Sequence, residues 1–136
     1  LFEPLPENIN RLKTNLQRFE SRYELHEVAV GLENGHADFG FEATGRYGGL
    51  ESDLPKTIQV QVRKVEEIIS SILEKVGHID ILKIDVEGLE TAILKSMSPD
   101  NLKNINNIYA ETIYSECLPG FDKEQYGEVV RFRKKS

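Results

Sequence analysis

The sequence predicts an α/β fold with a mainly parallel sheet and an antiparallel hairpin at its edge. Apolar runs of strand length alternate with stretches whose apolar residues recur at helical spacing. Residues 79–86 are almost continuously apolar, which is typical of a strand buried on both faces of a parallel sheet. Residues 37–41 and 58–62 instead alternate apolar and polar side chains, as half-exposed strands do.

The first third of the chain carries a strand end, a helix and a short strand. Residues 1–3 are interpreted as the end of a strand, because Pro4 cannot continue a ladder of hydrogen bonds. Pro6 suits the first turn of a helix, and apolar residues share one helical face as far as Phe19. This pattern predicts a helix over residues 6–19, followed by a strand over residues 24–31.

The remainder of the chain continues the alternation. We expect a loop over residues 43–56, a helix over residues 65–76 that ends at Gly77, and a short helix that stops before Pro99. A strand near residues 107–113 carries Glu111, and a final helix is predicted around residues 126–132. No internal repeat or linker is visible, so residues 1–136 are predicted to form a single domain.

Composition narrows the class of partner. The chain has 136 residues, 39% of them hydrophobic, and a net charge of −6, which argues against nucleic acid and against an anionic membrane surface. A small-molecule partner is expected instead. A single cysteine, Cys117, excludes an intrachain disulfide and fits a reducing compartment such as the cytoplasm. No apolar run approaches the ~20 residues that a membrane span needs.

Acidic residues follow the predicted strand 79–86. Asp85 and Glu87 come at its carboxyl end, where ligands bind in open α/β sheets, and Glu90 lies in the first turn of the next helix. Such acids take a proton from a hydroxyl, orient it, or ligate a cation. Alternatively they only favour the helix dipole, an interpretation that fits Glu90 best. Gly88 permits close approach of the backbone to a ligand.

Two further acids lie at predicted strand ends. Glu111 is expected at the same sheet edge as Asp85 and Glu87, so the three could converge on one site, and Mg²⁺ held by them is an alternative. Glu3 precedes a helix, where an acid commonly binds ribose hydroxyls, although it also suits a plain helix N-terminal acid. The histidines lack ligand spacing, so no metal site is predicted from them.

Several segments together resemble the FkbM-type methyltransferases. The segment 82–90, LKIDVEGLE, is very close to the hallmark "lKiDvEGaE" of that family. Residues 28–31, VAVG, match a "vAvG" strand that precedes an edge hairpin, and residues 2–4, FEP, match the segment after the second strand. Residues 65–69 resemble an "LDdll" helix start, with Glu66 where an Asp is usual, and Glu111 matches the Glu that ends the next strand.

The resemblance implies a Rossmann-like class I methyltransferase sheet that uses S-adenosylmethionine to methylate hydroxyls of sugars or natural products. Glu3 then matches the acid that binds the cofactor ribose, and Ala29 and Val30 flank adenine. Asp85, with Glu87, is expected beside the cofactor methyl group and the acceptor, so Asp85 is both a catalytic and a cofactor-binding residue. The loop 43–56 and the C-terminal region are expected to shape the acceptor pocket.

One departure from the family pattern is a missing segment. The family begins with a strand and a glycine-rich turn that cradles the methionine part of the cofactor, and no counterpart is present. Terminal strands expected after Arg133 are missing too, so we expect an incomplete sheet. A gap in the sheet favours strand exchange with a neighbouring chain, which would give a homo-oligomer. Alternatives are a non-catalytic scaffold that binds no cofactor and a nucleotide-binding oxidoreductase.

Overall fold

The computed structural model describes residues 1–42, 44, 48–50 and 54–135. They divide into two compact units, Leu1–Arg63 and Lys64–Ser136. Within the described residues, each unit contains one four-stranded sheet. The loop expected over residues 43–56 falls partly outside the described residues.

The described residues of the first unit form a helix, a 3₁₀ helix and four strands. Its elements are α1 (Pro6–Asn15), a 3₁₀ helix (Gln17–Arg22), β1 (Ala29–Gly31), β2 (Gly35–Phe41), β3 (Gly48–Leu50) and β4 (Lys56–Lys64). Pro6 begins α1 as predicted, but the α-helix ends at Asn15 and a 3₁₀ turn carries the chain past Phe19. The N-terminal strand is reduced to a parallel bridge between Phe2 and His26.

The sheet of the first unit has the order β1-β4-β2-β3. Strand β2 is antiparallel to both neighbours, with Phe39 opposite Ile58 of β4 and Leu50 of β3. The predicted antiparallel pairing of residues 37–41 with 58–62 is confirmed. Their predicted place at a sheet edge is wrong, because β3 adds a further strand beside β2. The inward side chains form a buried apolar cluster: Leu5, Ala29, Phe39, Val60 and Val62.

The second unit contains three helices and four strands. Its elements are α2 (Val65–Val76), β5 (Ile79–Ile84), α3 (Glu90–Ser96), α4 (Pro99–Leu102), β6 (Ile105–Glu111), β7 (Phe121–Tyr126) and β8 (Val129–Lys134). The predicted end of α2 at Gly77 is confirmed: this glycine has a φ of 83° and its N–H donates to the carbonyl of Leu73 at 2.8 Å. The helix before Pro99 is confirmed as α3.

The sheet of the second unit has the order β5-β6-β8-β7 and packs one face into an apolar core. Strands β5 and β6 are parallel, whereas β8 is antiparallel to β6 and to β7. The largest fully buried side chains all belong to this unit: Ile69, Ile93, Leu94, Ile105, Ile108, Val130 and Phe132 are each less than 2% exposed. This core holds the strand ends of β5 and β6 in place.

Strand β5 is not buried on both faces, as its sequence suggested. Ile84 is 5% exposed, but Ile81 is 64% exposed. Ile81 lies on the same face as Ile79 and Lys83, and the described residues leave this face half-buried or exposed. Strand β5 is also the end strand of its sheet. An apolar sequence therefore marked an edge strand here.

The predicted final helix at residues 126–132 is also wrong. The chain turns at Gly127, which has a φ of 58°, and Tyr126 pairs with Val129 across an antiparallel hairpin. Val130 and Phe132 share the buried face because they are two residues apart in a strand. Residues 121–134 therefore form two strands, β7 and β8, where a helix was predicted.

The prediction of a mainly parallel, Rossmann-like sheet is therefore wrong, although the α/β class holds. The chain forms two mixed four-stranded sheets in which β2 and β8 each pair antiparallel with both neighbours. The physical reason is the connections: a crossover through α3 and α4 makes β5 and β6 parallel, whereas a tight turn joins β7 to β8. The single domain predicted for residues 1–136 stays a prediction.

Candidate active site

Two acid-bearing strand ends lie side by side in the second unit. The parallel register of β5 and β6 ends one residue before Asp85 and Glu111, so these acids follow at the same edge of the sheet. The hydroxyls of Thr91 and Thr112 lie 3.1 Å apart and join the start of α3 to the residue after β6. The sequence-based expectation that both strand ends share one edge is met in this unit.

Asp85 is paired with a lysine of its own strand. The Nζ of Lys83 donates to Oδ2 of Asp85, and the two residues are two positions apart, so their side chains leave the extended chain on the same side. The Asp85 side chain is 37% exposed, so solvent screens the pair and its effect on stability is small. The pair nevertheless orients the carboxylate. Sequence analysis missed Lys83, although its two-residue spacing from Asp85 was a usable signal.

Glu87 adopts a backbone conformation that side chains usually avoid. Its φ is 52°, and every other described residue with a positive φ is a glycine. Gly88 follows with a φ of 111°. A non-glycine residue in the left-handed region costs about 1 kcal/mol or more, so the surrounding structure has to stabilise it.

The environment of Glu87 raises the pKa of its carboxyl group above the ordinary value of 4.5. Partial burial is the largest cause, because desolvation penalises the charged form. The negative charges of Asp85, Glu111 and Glu90 add to it in that order. These couplings indicate that the four carboxyl groups lie near one another. Glu87 is therefore a stronger base than an ordinary carboxylate.

Glu90 is buried and turned back onto the loop that precedes it. Its side chain is 5% exposed and lies at the first residue of α3. Oε1 accepts a hydrogen bond from the Val86 N–H and Oε2 accepts one from the Gly88 N–H, both at 2.9 Å. Sequence analysis treated Glu90 as a helix N-terminal acid and missed both bonds to the loop.

The segment after β6 is tied to strand β7. Nζ of Lys123 donates to the carbonyls of Tyr114 and Ser115 at 2.6 and 3.1 Å, and Nε2 of Gln125 donates to the Thr112 carbonyl at 3.1 Å. Tyr114 is 4% exposed, and this burial is the main cause of the rise in its pKa. The segment that follows β6 is therefore fixed to β7 by three hydrogen bonds.

The residues predicted to contact the cofactor lie in the first unit. Glu3 is half-buried, and its Oε1 accepts a hydrogen bond from the Leu5 N–H at 2.9 Å. Ala29 is 2% exposed and points into the apolar core, whereas Val30, the next residue of the strand, is half-buried. Leu5 also lines an apolar cavity of about 200 Å³ together with Phe41 and other side chains. The cofactor roles of Glu3, Ala29 and Val30 stay predictions.

The described part of the chain contains no cluster of three or more His, Cys, Asp or Glu side chains with the geometry of a metal site. His26 stacks on Phe2 with 4.8 Å between ring centroids, and His78 approaches Asp80 at 3.5 Å. Cys117 is a free, exposed thiol. These residues thus have local contacts, and the carboxylates after β5 are the stronger candidates for chemistry.

The site belongs to an α/β chain whose acidic residues gather where parallel strands end, a place suited to a polar small molecule. The family model of the methyltransferase FkbM domain matches residues 1–134, so the chain belongs to this family of methyltransferases. Neither a curated protein nor a solved structure matches the chain significantly. Among the described helices, none has the length and apolar character required to cross a membrane.

Proposed function

We propose that this chain is the methyltransferase domain of an S-adenosylmethionine-dependent O-methyltransferase that acts on a hydroxyl of a small molecule, sugar or natural product. Membership of the FkbM family supports methyl transfer. The observation that carries the hydroxyl acceptor is the acidic loop after β5, in which Asp85 and Glu87 are held close together at a strand end. A hydroxyl needs a hydrogen-bond acceptor to orient it and a base to take its proton.

Asp85 is proposed to orient the acceptor hydroxyl. The ion pair with Lys83 holds its carboxylate at the end of β5, and the carboxylate retains acceptor capacity for a substrate O–H. Fixing the hydroxyl in this way reduces the entropy that must be lost when the reacting atoms come together. This role depends on where the Asp85 carboxylate lies and not on its strength as a base.

Glu87 is proposed to take the proton. Its raised pKa makes it a stronger base than an ordinary carboxylate, and a base is most effective when its pKa approaches the working pH. The Glu87 carboxylate would take the hydroxyl proton as the acceptor oxygen takes the methyl group, while the methyl carbon–sulfur bond of the cofactor would break with its electron pair left on sulfur, giving S-adenosylhomocysteine. Protonation also removes one negative charge from the crowded carboxyl cluster, which favours the transfer.

S-adenosylmethionine, when bound, would supply an electrophilic methyl group on a sulfonium. Glu3 fits its ribose on chemical grounds: among the described residues only its Oε1 is engaged, by the Leu5 N–H, so Oε2 remains available to accept a bond from a hydroxyl. We therefore keep Glu3 as the ribose ligand. Val30 is kept as an adenine neighbour, and Ala29 would contribute through its backbone because its side chain is buried in the core.

The proposed partners are the cofactor and a hydroxylated small molecule. The net charge of −6 supports neutral or cationic acceptors over nucleic acid. We propose the cytoplasm as the compartment, because the lone thiol of Cys117 is exposed and would stay reduced there. A homo-oligomer is the remaining proposal about assembly.

Calorimetric titration with S-adenosylhomocysteine tests the cofactor assignment on the full-length protein. We expect binding to the wild type and a loss of about tenfold or more in affinity for Glu3→Gln, because a hydrogen bond to a charged group is replaced by a neutral one. Asp122→Asn, which alters an exposed acid of β7, is the matched control and should bind as the wild type does. A folded wild type that binds nothing would contradict the cofactor assignment and favour a non-catalytic scaffold.

Transfer of a labelled methyl group to a panel of sugars and phenolic or aliphatic alcohols tests the reaction. We expect Glu87→Gln to bind S-adenosylhomocysteine nearly as the wild type does, and Asp85→Asn to bind it more weakly because Asp85 is also predicted to contact the cofactor. At saturating cofactor both variants should lose at least ~100-fold in turnover, the scale of general-base catalysis. Asp122→Asn should retain turnover. Unchanged turnover in both acid variants would refute the proposed roles while leaving the family intact.

A further inference from the structure

We propose that Glu90 is a positioning residue that holds the loop of Asp85, Val86, Glu87 and Gly88 in its active shape. The inference deepens the function proposed above and, as far as it concerns catalysis, rests on that function. It assigns to Glu90 a role that differs from the helix N-terminal acid expected from its sequence position. The geometry that carries it is the pair of hydrogen bonds from one carboxylate to two loop amides.

The two hydrogen bonds bracket one residue. The Val86 N–H and the Gly88 N–H both reach Glu90 at 2.9 Å, each to a different carboxylate oxygen. Glu87 lies between these amides, so its backbone is held on both sides by a single side chain. Both oxygens are needed as acceptors, because the two donors lie on either side of the residue whose φ is 52°.

The carboxylate is suited to hold this conformation. Glu90 is 5% exposed, so its bonds face little competition from water. Hydrogen bonds from amides to a carboxylate are stronger than those to a neutral acceptor. A left-handed glutamate beside three other acids would otherwise relax, since both the backbone strain and the repulsion between acids favour release of the loop.

The bonds also account for the choice of residue at this position. Gln places a donor NH₂ group where Glu has its second oxygen, so in the same position one of the two amide N–H groups faces another donor and loses its bond. Asp keeps two acceptor oxygens and the charge but is one methylene shorter, so it cannot reach both amides from the same backbone. These two substitutions separate charge from reach.

Amide hydrogen exchange measured by NMR on the protein without ligand tests the hydrogen bonds. We expect exchange at Val86 and Gly88 to accelerate about tenfold or more in Glu90→Gln and in Glu90→Asp, because bonds to a charged acceptor are lost. Ile93, whose N–H donates to the Leu89 carbonyl within α3, is the internal reference and should change far less. Equal acceleration at all three amides would mean that the helix start unravels, which would overturn the positioning role.

Titration of the Glu87 carboxyl carbon by NMR tests the effect on the site. In Glu90→Asp the charge is retained, so a fall of the Glu87 pKa towards its ordinary value reports a loop that has moved away from the neighbouring acids. Glu74→Gln removes an exposed charge from α2 and is the matched control, with no change expected. A Glu87 pKa in Glu90→Asp equal to that of the wild type would overturn the proposal.

Neither measurement requires a cofactor or an acceptor. If the wild type transfers no methyl group and binds no S-adenosylhomocysteine, the proposed function fails while the positioning result still stands or falls on the exchange and titration data. If the enzyme is active, Glu90→Asp should lower kcat more than it changes KM. An unchanged kcat with a displaced loop would refute the catalytic part of the inference.

Discussion

The left-handed backbone at Glu87 predicts an inverted order of stability between two simple substitutions. At an ordinary position, Ala is more stable than Gly, because Gly loses more conformational freedom on folding, by roughly 0.5–1 kcal/mol. At Glu87, with its φ of 52°, Ala would have to adopt a conformation that costs a side chain about 1–2 kcal/mol and that Gly adopts without strain. The difference leaves Glu87→Gly more stable than Glu87→Ala by roughly 0.5–1 kcal/mol.

Urea denaturation of the two variants at neutral pH measures this difference directly. Both variants remove the carboxylate, so the effect of losing its charge is the same in each. The difference between their free energies of unfolding therefore reports the backbone conformation at position 87. Glu74 in α2 offers a matched control, because there Glu74→Gly should be less stable than Glu74→Ala by about 1 kcal/mol. If position 87 showed the same sign as position 74, the left-handed conformation and the strain argument built on it would be refuted.

Three more predictions concern the site and the two cores. The pKa of Glu87 is raised in the folded state, so its contribution to stability is present below the unfolded-state value and is lost as the pH rises through the folded value. Glu87→Gln should therefore gain stability relative to the wild type between pH 4 and pH 8, and equal pH profiles in urea melts would contradict this. Phe132 is 0% exposed, so Phe132→Ala should cost about 3–5 kcal/mol, whereas Tyr126→Ala on the exposed hairpin should cost far less in the same assay. Gly31→Ala should destabilise the first unit, because the new Cβ would meet Cγ1 of Val62 at 2.6 Å, and a thermal midpoint equal to that of the wild type would refute it.

The elements that the sequence predicted well are those in which local chemistry and packing agree. Helix α2 combines a clean apolar stripe with a glycine at its end, and the structure ends it at that glycine. The alternation of residues 37–41 and 58–62 likewise fits one buried and one open face, and the two strands pair as expected. In both cases a single periodicity was compatible with the sequence.

The wrong predictions arose where one pattern of apolar residues was compatible with two kinds of structure. The apolar residues around Val130 and Phe132 suit a short helix as well as a strand, and Gly127 was the turn signal that decided for a hairpin. The apolar run of β5 suggested burial on both faces. The burial of each face depends on which elements pack over the sheet, and Ile81 is largely exposed. Sheet order depends on contacts between distant segments, which periodicity does not encode. The mainly parallel sheet was therefore the weakest inference.

The site divides in the same way. Acids at a strand end are visible in the sequence, and Asp85, Glu87 and Glu111 were all expected at one edge. What the sequence did not reveal is the arrangement that makes them useful: the lysine that orients Asp85 and the buried glutamate that binds two loop amides. Both partners carry ordinary surface-type side chains, so only the ion pair of Lys83 and the burial and hydrogen bonds of Glu90 distinguish them.

The loop after β5 has two features that lower the stability of the folded state: a strained backbone and closely spaced acidic side chains. Glu87 has a strained φ, and its carboxyl group is raised in pKa by burial and by three neighbouring acids. A loop selected for stability alone would have glycine at that position and fewer charges beside it. The chain instead has an acid at position 87, and the buried carboxylate of Glu90 binds the loop amides on both sides of it. Such a combination is expected where a base must be kept in one place at a raised pKa, and it is the physical reason for our proposal that the residues between Asp85 and Glu90 carry the chemistry of this FkbM-family chain.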